Sequence, residues 1–333
     1  MKTLFLGGSK SGKSNLAEKL ALQISEQKKC DIYYIATMRA QDEEDKNRIA
    51  THQKNRIGKN FITVEWDGKT AFPALPKQSV ILLDSCTALF TNLCFDFFEG
   101  EWNFFCGAGE STILLLQKIL NRFCNVIFVS DYIFSSCFAN GANFSSVQNG
   151  LSANTVIPAT KKDFTADWAF LYAKVLRFLS ENCDTVVEVQ NGIPLVKKGA
   201  YAFPKDFFSP PSPKKWTLIF GGIAQGKTEF AKKQFSISQD EIFVCTRFSP
   251  PDFSAKCFSH LEEYVYFCTK ENVPLKTDFP QGTIFIATNI QCGIVPQDPF
   301  ERLWREETGR YLQALAKCSS VVRVFCGIAE VIF

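Results

Sequence analysis

The chain has 333 residues, 13 cysteines, 33 phenylalanines and two histidines, with a formal net charge of +3. A charge this close to neutral excludes a strong electrostatic attraction to nucleic acid or to an anionic membrane. A hydrophobic fraction of 46% excludes intrinsic disorder, and two histidines argue against a multi-histidine metal centre. At roughly 150 residues per domain, the length suggests two domains.

Signals for export or membrane insertion are not found in the sequence. The opening MKTLFLGG is too short in apolar residues for a signal peptide, and no apolar run reaches the about 18 residues of a spanning helix. The cysteines form no CxxC pair, and Cys94, Cys124, Cys245 and Cys326 lie in apolar runs. We expect buried free thiols in a protein of the reducing cytoplasm, with no membrane span.

Apolar segments alternate with helix-like segments along the chain. Runs without polar alternation indicate strands buried on both faces, as in a parallel sheet. The sequence therefore predicts an α/β fold with helices on both sides of a mostly parallel sheet. The expected strands are Leu4–Leu6, Ile32–Ile35, Val80–Leu83, Val126–Val129 and Val186–Val189, and the expected helices are Ser14–Glu26, Ser111–Phe123 and Asp167–Glu181.

A phosphate-binding motif, G-x-x-x-x-G-K-S, follows the first apolar run and precedes a helix. Its residues are Gly7, Gly8, Ser9, Lys10, Ser11, Gly12, Lys13 and Ser14. In such a loop the backbone amides cradle phosphates, the lysine reaches the β- and γ-phosphates, and the hydroxyl binds Mg²⁺. A chance match in a glycine-rich turn is the alternative, which the flanking strand and helix disfavour. Asp84 ends another apolar run and is the candidate Walker B carboxylate for Mg²⁺, or else a helix cap.

A near copy of this motif occurs at Thr217–Thr228, which indicates an internal duplication. The second copy is shorter and is expected to lack a counterpart of Asp84. Prolines between the copies mark a linker. We predict a P-loop domain at 1–204, a linker at 205–215, a shortened second P-loop domain at 216–333, and a long polar loop at 135–162. A second nucleotide site would use Gly221, Gly222, Gly226, Lys227 and Thr228.

His52 ends a charged, helix-like stretch that begins at Asp42. An isolated histidine there is more often an incidental surface residue. Here Gln53, Lys54 and Arg56 follow it and a phosphate loop lies in the same domain. A neutral imidazole is a competent nucleophile toward phosphorus, and neighbouring cations stabilise a transferring phosphoryl group. His52 is therefore a candidate catalytic nucleophile.

Several motifs together resemble a known family. They are GGxxSGKS (Gly7–Ser14), IAT (Ile35–Thr37), RIxxH (Arg48–His52), TVE (Thr63–Glu65) and LLDSCTALFTNL (Leu82–Leu93). The set resembles the bifunctional adenosylcobinamide kinase / adenosylcobinamide-phosphate guanylyltransferases of cobalamin biosynthesis. The resemblance covers about Met1 to Ser130, with a weaker tail to about Lys198.

This resemblance implies a RecA-like P-loop fold and two reactions. A nucleoside triphosphate phosphorylates the corrinoid adenosylcobinamide, and GMP is then transferred from GTP through a GMP–histidine intermediate that falls on His52. Mg²⁺ and GTP, ATP or both are the implied cofactor and substrates. The implied nucleotide contacts are Thr37, Met38, Arg39, Gln53, Lys54, Asn55, Arg56, Glu65 and Asp84.

The family's T-N-E-x-G-x-G-I-V-P segment is missing from the first copy, which has Ser130-Asp131-Tyr132 instead. It occurs in the second copy, whose candidate corrinoid-side residues are Thr288, Asn289, Gly293, Ile294, Val295 and Pro296. Because each copy lacks what the other keeps, we expect the halves to pack into one composite site. Such a fusion could replace a neighbouring subunit of the family's oligomers, so the oligomeric state stays open.

Other interpretations remain at this point. The chain could be a GTP-binding regulatory or scaffold protein with degenerate catalytic parts, or could keep kinase activity only. His260 lies nearly in register with His52, counted from the preceding threonine, and is expected to be non-catalytic. The sequence leaves the choice between ATP and GTP for the kinase step open.

Overall fold

The computed structural model describes residues 1–39, 46, 50, 54, 56, 58–98, 101–134, 156–158, 164–199, 214–296 and 298–332. We call 1–199 the first unit and 214–332 the second unit. His52, Gln53 and Asn55 lie outside the described residues, as does most of the linker predicted at 205–215. The stretch predicted as a long polar loop contains one short described strand, Val156–Pro158.

The secondary structure of the described residues alternates between strands and helices. The strands are β1 (Lys2–Gly7), β2 (Ile32–Ala36), β3 (Phe61–Glu65), β4 (Val80–Asp84), β5 (Phe95–Phe98), β6 (Glu101–Phe105), β7 (Asn125–Asp131), β8 (Val156–Pro158), β9 (Thr185–Gln190), β10 (Ile193–Lys198), β11 (Trp216–Gly221), β12 (Ile242–Val244), β13 (Cys257–Ser259), β14 (Ile284–Thr288), β15 (Ser319–Phe325) and β16 (Ile328–Val331). The helices are α1 (Lys13–Lys28), α2 (Cys86–Cys94), α3 (Ala108–Arg122), α4 (Thr165–Asn182), α5 (Lys227–Phe235), α6 (Leu261–Glu271) and α7 (Pro299–Lys317).

The first unit is built on a sheet of order β10-β9-β1-β7-β4-β2-β3. All its pairings are parallel except that of β10 with β9. One strand, β7, separates the P-loop strand β1 from β4, which carries Asp84 at its end. The chain therefore has the mostly parallel α/β architecture of a RecA-like P-loop fold. Each strand and helix expected from the sequence lies within or overlaps an observed element, because continuous apolar runs correctly indicated strands buried on both faces.

The second unit repeats this arrangement with fewer elements. Its sheet has the order β12-β13-β14-β11-β15-β16, and only the pairing of β15 with β16 is antiparallel. Strands β11, β14, β13 and β12 thus take the places of β1, β7, β4 and β2. Within the described residues, the second unit has no counterpart of the edge strand β3, the hairpin β5–β6 or the helix α3.

The strand registers correct two expectations about the second unit. The strand equivalent to β4 is present as β13. At this strand the unit lacks only the carboxylate, since Ser259 stands in the place of Asp84. His260 directly follows β13 and is therefore the counterpart of Ser85, not of His52. The offset arises because the chain between β12 and β13 is too short to contain the segment that carries His52.

Aromatic side chains fill both cores. Phe90, Phe104 and Phe128 are fully buried in the first unit, and Phe258 and Phe285 are buried in the second. The two cores meet at β10, where Ile193 packs with the second unit's core cluster.

All cysteines in the described part of the chain are free thiols, as expected. Cys94 and Cys245 are buried, but Cys124 and Cys326 are exposed, contrary to expectation, because they lie where a helix or a strand ends. In the part of the chain that the structure covers, we find no helix with the length and apolar character needed to cross a membrane.

Candidate functional site

Both phosphate-binding motifs adopt the same backbone conformation. The fourth residue of each loop is left-handed, with φ of 51° at Lys10 and 56° at Ala224. The glycine before the helix is left-handed too, with φ of 94° at Gly12 and 83° at Gly226. Glycine adopts this conformation without the steric cost of a side chain. Each loop therefore directs the N-terminus of its following helix toward an anion in the same way.

The lysine of each loop is buried against its own backbone. Lys13 donates from Nζ to the carbonyl of Gly8 at 3.1 Å, and Lys227 donates to the carbonyl of Gly222 at 2.5 Å. Burial lowers the pKa of Lys227, and the nearby carboxylate of Glu262 acts in the opposite direction. The two phosphate-binding loops are thus alike in backbone conformation and in the bond that each lysine makes to its own loop.

A cleft of about 1870 Å³ opens in front of the first P-loop. This volume exceeds the roughly 300–1,000 Å³ of an ordinary small-molecule pocket, so the cleft has room for two substrates. Both units line it. The predicted site residues in its wall are Ser9, Lys10, Ser11, Gly12, Lys13, Ser14, Thr37, Met38, Arg39, Arg56, Glu65, Asp84, Gly293, Ile294, Val295 and Pro296.

The remaining predicted residues lie elsewhere. Gly7, Gly8 and Lys54 are not part of the cleft wall. Thr288 and Asn289 are also outside it: the amide of Thr288 donates to Glu262 at 2.8 Å, and the side chain of Asn289 donates to Gln190 at 3.1 Å. The second P-loop residues Gly221, Gly222, Gly226, Lys227 and Thr228 do not line this cleft either.

A loop of the second unit, residues 290–296, lies directly on the first P-loop. The amide of Ser9 donates to the carbonyl of Gln291 at 3.1 Å. Helix α7 follows closely: a Cβ atom on Gly309 would lie 2.7 Å from the carbonyl oxygen of Ser9. Only glycine permits this approach, because the obstructing atom belongs to the backbone. An ion pair between Lys10 and Glu306 at 3.5 Å adds to the contact.

Arg305 of α7 holds that loop in shape. Its guanidinium donates to the carbonyls of Ile294 at 2.5 Å, Gly293 at 3.1 Å and Gln291 at 3.2 Å. Ile294 in turn packs against the hydrophobic core of the first unit. The predicted GIVP segment is thereby fixed between the two units, beside the first P-loop.

Asp84 lies at the end of β4, in the wall of the cleft, among polar partners. Tyr34 donates its hydroxyl to Oδ2 of Asp84 at 2.9 Å. Burial, followed by the charge of Asp84, raises the pKa of Tyr34 well above its usual value, so Tyr34 stays a neutral donor. Asp84 keeps oxygen-donor capacity on the face of the cleft.

Arg56 is buried over the ring of Tyr34, with its Cζ atom 3.6 Å from the ring centroid. The side chain is 6% exposed, yet its Nε and Nη1 atoms have no hydrogen-bond partner among the described residues. A buried N–H group is costly unless an acceptor reaches it, and a ligand in the cleft can supply one. Arg56 is therefore placed to bind an anionic group in the cleft.

The residues after β2 are tied to the end of β4. Thr37 and Ser85 exchange two hydrogen bonds, from the Thr37 hydroxyl to the Ser85 carbonyl at 2.8 Å and from the Ser85 amide back to that hydroxyl at 2.9 Å. Arg39 forms an ion pair with Asp67. These contacts fix the edge of the cleft on which the resemblance places the guanine nucleotide.

A largely aromatic surface lines part of the cleft. We call it the aromatic wall and define it by Phe95, Tyr132, Ile133, Phe164 and Trp168. Phe164 stacks on the buried Phe104 with centroids 4.4 Å apart. The lining of the cleft thus combines the P-loop with a largely aromatic surface.

Sequence reasoning missed several residues in the wall of the cleft. They are Glu18, Asp131, Arg302, Arg305, Glu306, Arg310 and Gln313. The α7 residues follow the GIVP segment directly, so their position after that motif was a usable signal. Asp131 was visible only as a departure from the family pattern.

Comparison with known proteins places the chain. Residues 3–197 match the family described as "Cobinamide kinase / cobinamide phosphate guanyltransferase". The chain belongs to this family. A relative from Escherichia coli (strain K12), "Bifunctional adenosylcobalamin biosynthesis protein CobU", is 35% identical over 111 residues. That match covers 31% of this chain and 58% of the relative, so the chain spans little more than half of the relative's length.

Solved structures with a similar fold are distant. The flagellar accessory protein FlaH from Methanocaldococcus jannaschii is 14% identical, with a TM-score of 0.31 over 60% of this chain and 82% of its own. A KaiC-like protein from Pyrococcus horikoshii OT3 is 12% identical, with a TM-score of 0.29 over 60% of this chain and 80% of its own.

Proposed function

We propose that this chain phosphorylates adenosylcobinamide with a nucleoside triphosphate and then transfers GMP from GTP to the resulting phosphate, giving adenosylcobinamide-GDP. The observation that carries the proposal is a cleft whose lining includes both the first P-loop and the aromatic wall, in a member of this family. An anionic triphosphate and a large, partly apolar corrinoid need these two kinds of surface.

The triphosphate would occupy the end formed by the first P-loop. The ammonium group of Lys13 bonds the carbonyl of Gly8 within the loop and can move from there to the β- and γ-phosphates. Arg56 offers two buried N–H groups for the nucleotide's anionic or acceptor atoms. Thr37, Met38, Arg39 and Glu65 line the adjoining wall and would contact the base and ribose.

Ser14 and Asp84 are the residues that would hold Mg²⁺. Both line the cleft beside the P-loop, and a hydroxyl with a carboxylate is the hard oxygen set that Mg²⁺ accepts together with phosphate oxygens. No group of three or more His, Cys, Asp or Glu side chains in the described ranges could hold a metal by itself. Bound Mg²⁺ would neutralise charge on the phosphates.

We further propose that the second unit is a shortened copy of the first and completes its site. The equivalent strand orders support the duplication. The contact of the 290–296 loop with Ser9 and the fit of Gly309 against the P-loop support the shared site. Gly293, Ile294, Val295 and Pro296 would then face the corrinoid side. The second P-loop stays a predicted nucleotide site without a carboxylate at the Asp84 position.

Guanylyl transfer would use His52 as the nucleophile, on the strength of the family motif. An imidazole nitrogen would attack the α-phosphorus of GTP, and the bond to the β-phosphate oxygen would break as pyrophosphate leaves. A phosphate oxygen of the phosphorylated corrinoid would then attack the same phosphorus and release the imidazole. Arg56, four residues after His52, lines the cleft, as do Lys46 and Ala50 before it.

The test is the intact mass of the protein after incubation with GTP and Mg²⁺. We expect one GMP adduct per chain, absent in His52→Ala and retained in the control His260→Ala. Absence of an adduct from the wild-type chain, with phosphorylation of adenosylcobinamide intact, would leave kinase activity only. GTP binding with neither reaction would favour a regulatory or scaffold protein.

A cytoplasmic setting is part of the same proposal. The free thiols of both units, most of them buried, support it, since such thiols persist in reducing compartments.

A further inference from the structure

Asp131 ends strand β7 at the centre of the cleft, and neither the P-loop motif nor the family resemblance gives it a role. Its Oδ1 atom lies 2.7 Å from Nζ of Lys13. The carboxylate therefore stands beside the lysine that reaches the transferable phosphate in a P-loop site. Its side chain is 32% exposed and lines the cleft, so a substrate can approach it.

The backbone of Asp131 is held on both sides. Its amide donates to the hydroxyl of Thr87 at 2.9 Å, and its carbonyl accepts from the hydroxyl of Tyr172 at 3.4 Å. Tyr172 is fully buried and also bonds Thr87 at 2.7 Å. Because β7 lies in the middle of the sheet, the carboxylate projects from a rigid element, as a catalytic group requires.

Asp131 lies between the P-loop lysine and the aromatic wall. It contacts Lys13, and the next two residues along the chain, Tyr132 and Ile133, belong to the aromatic wall. A molecule bound on that wall would therefore have its nearest hydroxyl groups close to both Asp131 and a phosphate at the P-loop. Arg305 of the second unit adds a positive charge close enough to interact with the same carboxylate.

We propose that Asp131 is the general base of the phosphoryl transfer; this proposal rests on the kinase half of the proposed function. The acceptor hydroxyl oxygen forms a bond to the γ-phosphorus while the bond from that phosphorus to the β-phosphate oxygen breaks. The hydroxyl proton passes to the Asp131 carboxylate, and the leaving electron pair stays on the nucleoside diphosphate. Binding of the triphosphate draws Lys13 to the phosphates, and the Asp131 carboxylate accepts the proton of the acceptor hydroxyl that approaches it.

The second unit offers an internal contrast. The strand register places Thr288 where Asp131 stands in the first unit. In the same exchange, Glu262 replaces Thr87 and accepts the amide of Thr288 at 2.8 Å. The strand end beside the second P-loop therefore carries a threonine, and the carboxylate near Lys227, that of Glu262, is buried and bonded to the Thr288 amide and to His260. Phosphoryl transfer is accordingly assigned to the first unit.

The test uses the full chain with adenosylcobinamide, Mg²⁺ and GTP or ATP in single-turnover phosphorylation. For Asp131→Asn we expect a rate loss of roughly 100- to 10,000-fold, the usual effect of a general base. Nucleotide affinity and the Mg²⁺ concentration for half-maximal rate should change by less than about threefold. Asp131→Glu should keep part of the rate, and Asp278→Asn, which neutralises an exposed carboxylate outside the cleft, should match the wild type.

A second variant separates the base from a structural partner of Lys13. The rate of Asp131→Ala should rise with added formate, whose carboxylate replaces the missing base, whereas the wild-type rate should not. A rate for Asp131→Asn above one-tenth of the wild type would overturn the proposal. So would a rate loss accompanied by lost nucleotide binding or a raised Mg²⁺ requirement. Guanylylation of His52 in Asp131→Asn with no phosphorylation by any variant, wild type included, would instead refute the kinase function itself.

Discussion

The two P-loops of this chain have the same backbone conformation but different surroundings. Ser9 of the first loop is covered by the second unit, while its counterpart Ile223 in the second loop is 81% exposed. The first loop faces Asp84 and Asp131 across a cleft, where the second unit has Ser259 and Thr288. A Walker A motif thus specifies a phosphate cradle, and the neighbouring strand ends decide which chemistry the cradle can support.

The largest expected difference between the loops concerns their lysines. Lys13→Ala should lower the rate of adenosylcobinamide phosphorylation by roughly 100- to 1,000-fold, because it removes a charge placed on the transferring phosphate. Lys227→Ala should change the rate by less than about twofold, because the Glu262 carboxylate near that lysine is buried and engaged by the Thr288 amide. Steady-state phosphorylation of both variants, with binding of a fluorescent GTP analogue, provides the comparison. A large loss in Lys227→Ala would show that the second loop takes part in catalysis.

A smaller effect is expected from loosening the loop that only the first site receives. Arg305→Ala removes three hydrogen bonds to the carbonyls of the 290–296 loop. We expect kcat/KM for adenosylcobinamide to fall roughly 10- to 100-fold, as for a misplaced positioning element, with little change in GTP affinity. Arg305→Lys should recover little, because a single ammonium cannot span the three carbonyls. Equal losses for both substrates would place Arg305 on the nucleotide side.

The smallest expected effect is the contribution of His260 to the stability of the fold. A hydrogen bond with Glu262 raises the pKa of His260 above its usual 6.5. The charged imidazole therefore stabilises the fold fully below about pH 6.5, and this contribution is lost as the pH rises through the raised pKa. His260→Asn tolerates the left-handed backbone and removes the effect, which is below about 1 kcal/mol because the imidazole is more than half exposed and solvent screens the pair. Urea denaturation at pH 6 and pH 9 should show a larger difference from the wild type at pH 6; a pH-independent difference would contradict this.

The sequence allowed prediction of most of the fold and of the P-loop end of the site. Continuous apolar runs identified strands β1, β4 and β7, and spacing alone placed Lys13 and Ser14 at a helix start. Register was harder. Matching the two copies by residue type would pair Thr37 with Thr246, whereas the strand contacts pair it with Cys245. A one-residue shift of this kind is invisible in apolar runs that lack alternation.

The residues at the strand ends escaped prediction for a different reason. Counting from the preceding threonine placed His260 opposite His52, because the sequence does not show which elements between them have been lost. Asp131 could not be identified, since its importance depends on a contact with Lys13 across two strands. The packing of the 290–296 loop on the first P-loop was predicted only as a hypothesis, because each copy lacks a motif that the other keeps. The depth of that contact follows from Gly309, a small residue without a motif of its own.

The central claim is that the second unit completes the active site of the first, and Gly309 offers the most direct measurement. Gly309→Leu would force α7 away from the backbone of Ser9, whereas Ala314→Leu places the same side chain at an exposed position of the same helix. With both variants shown to be folded by circular dichroism, single-turnover phosphorylation should be at least about 100-fold slower in Gly309→Leu and unchanged in Ala314→Leu. A wild-type rate in folded Gly309→Leu would contradict the composite site.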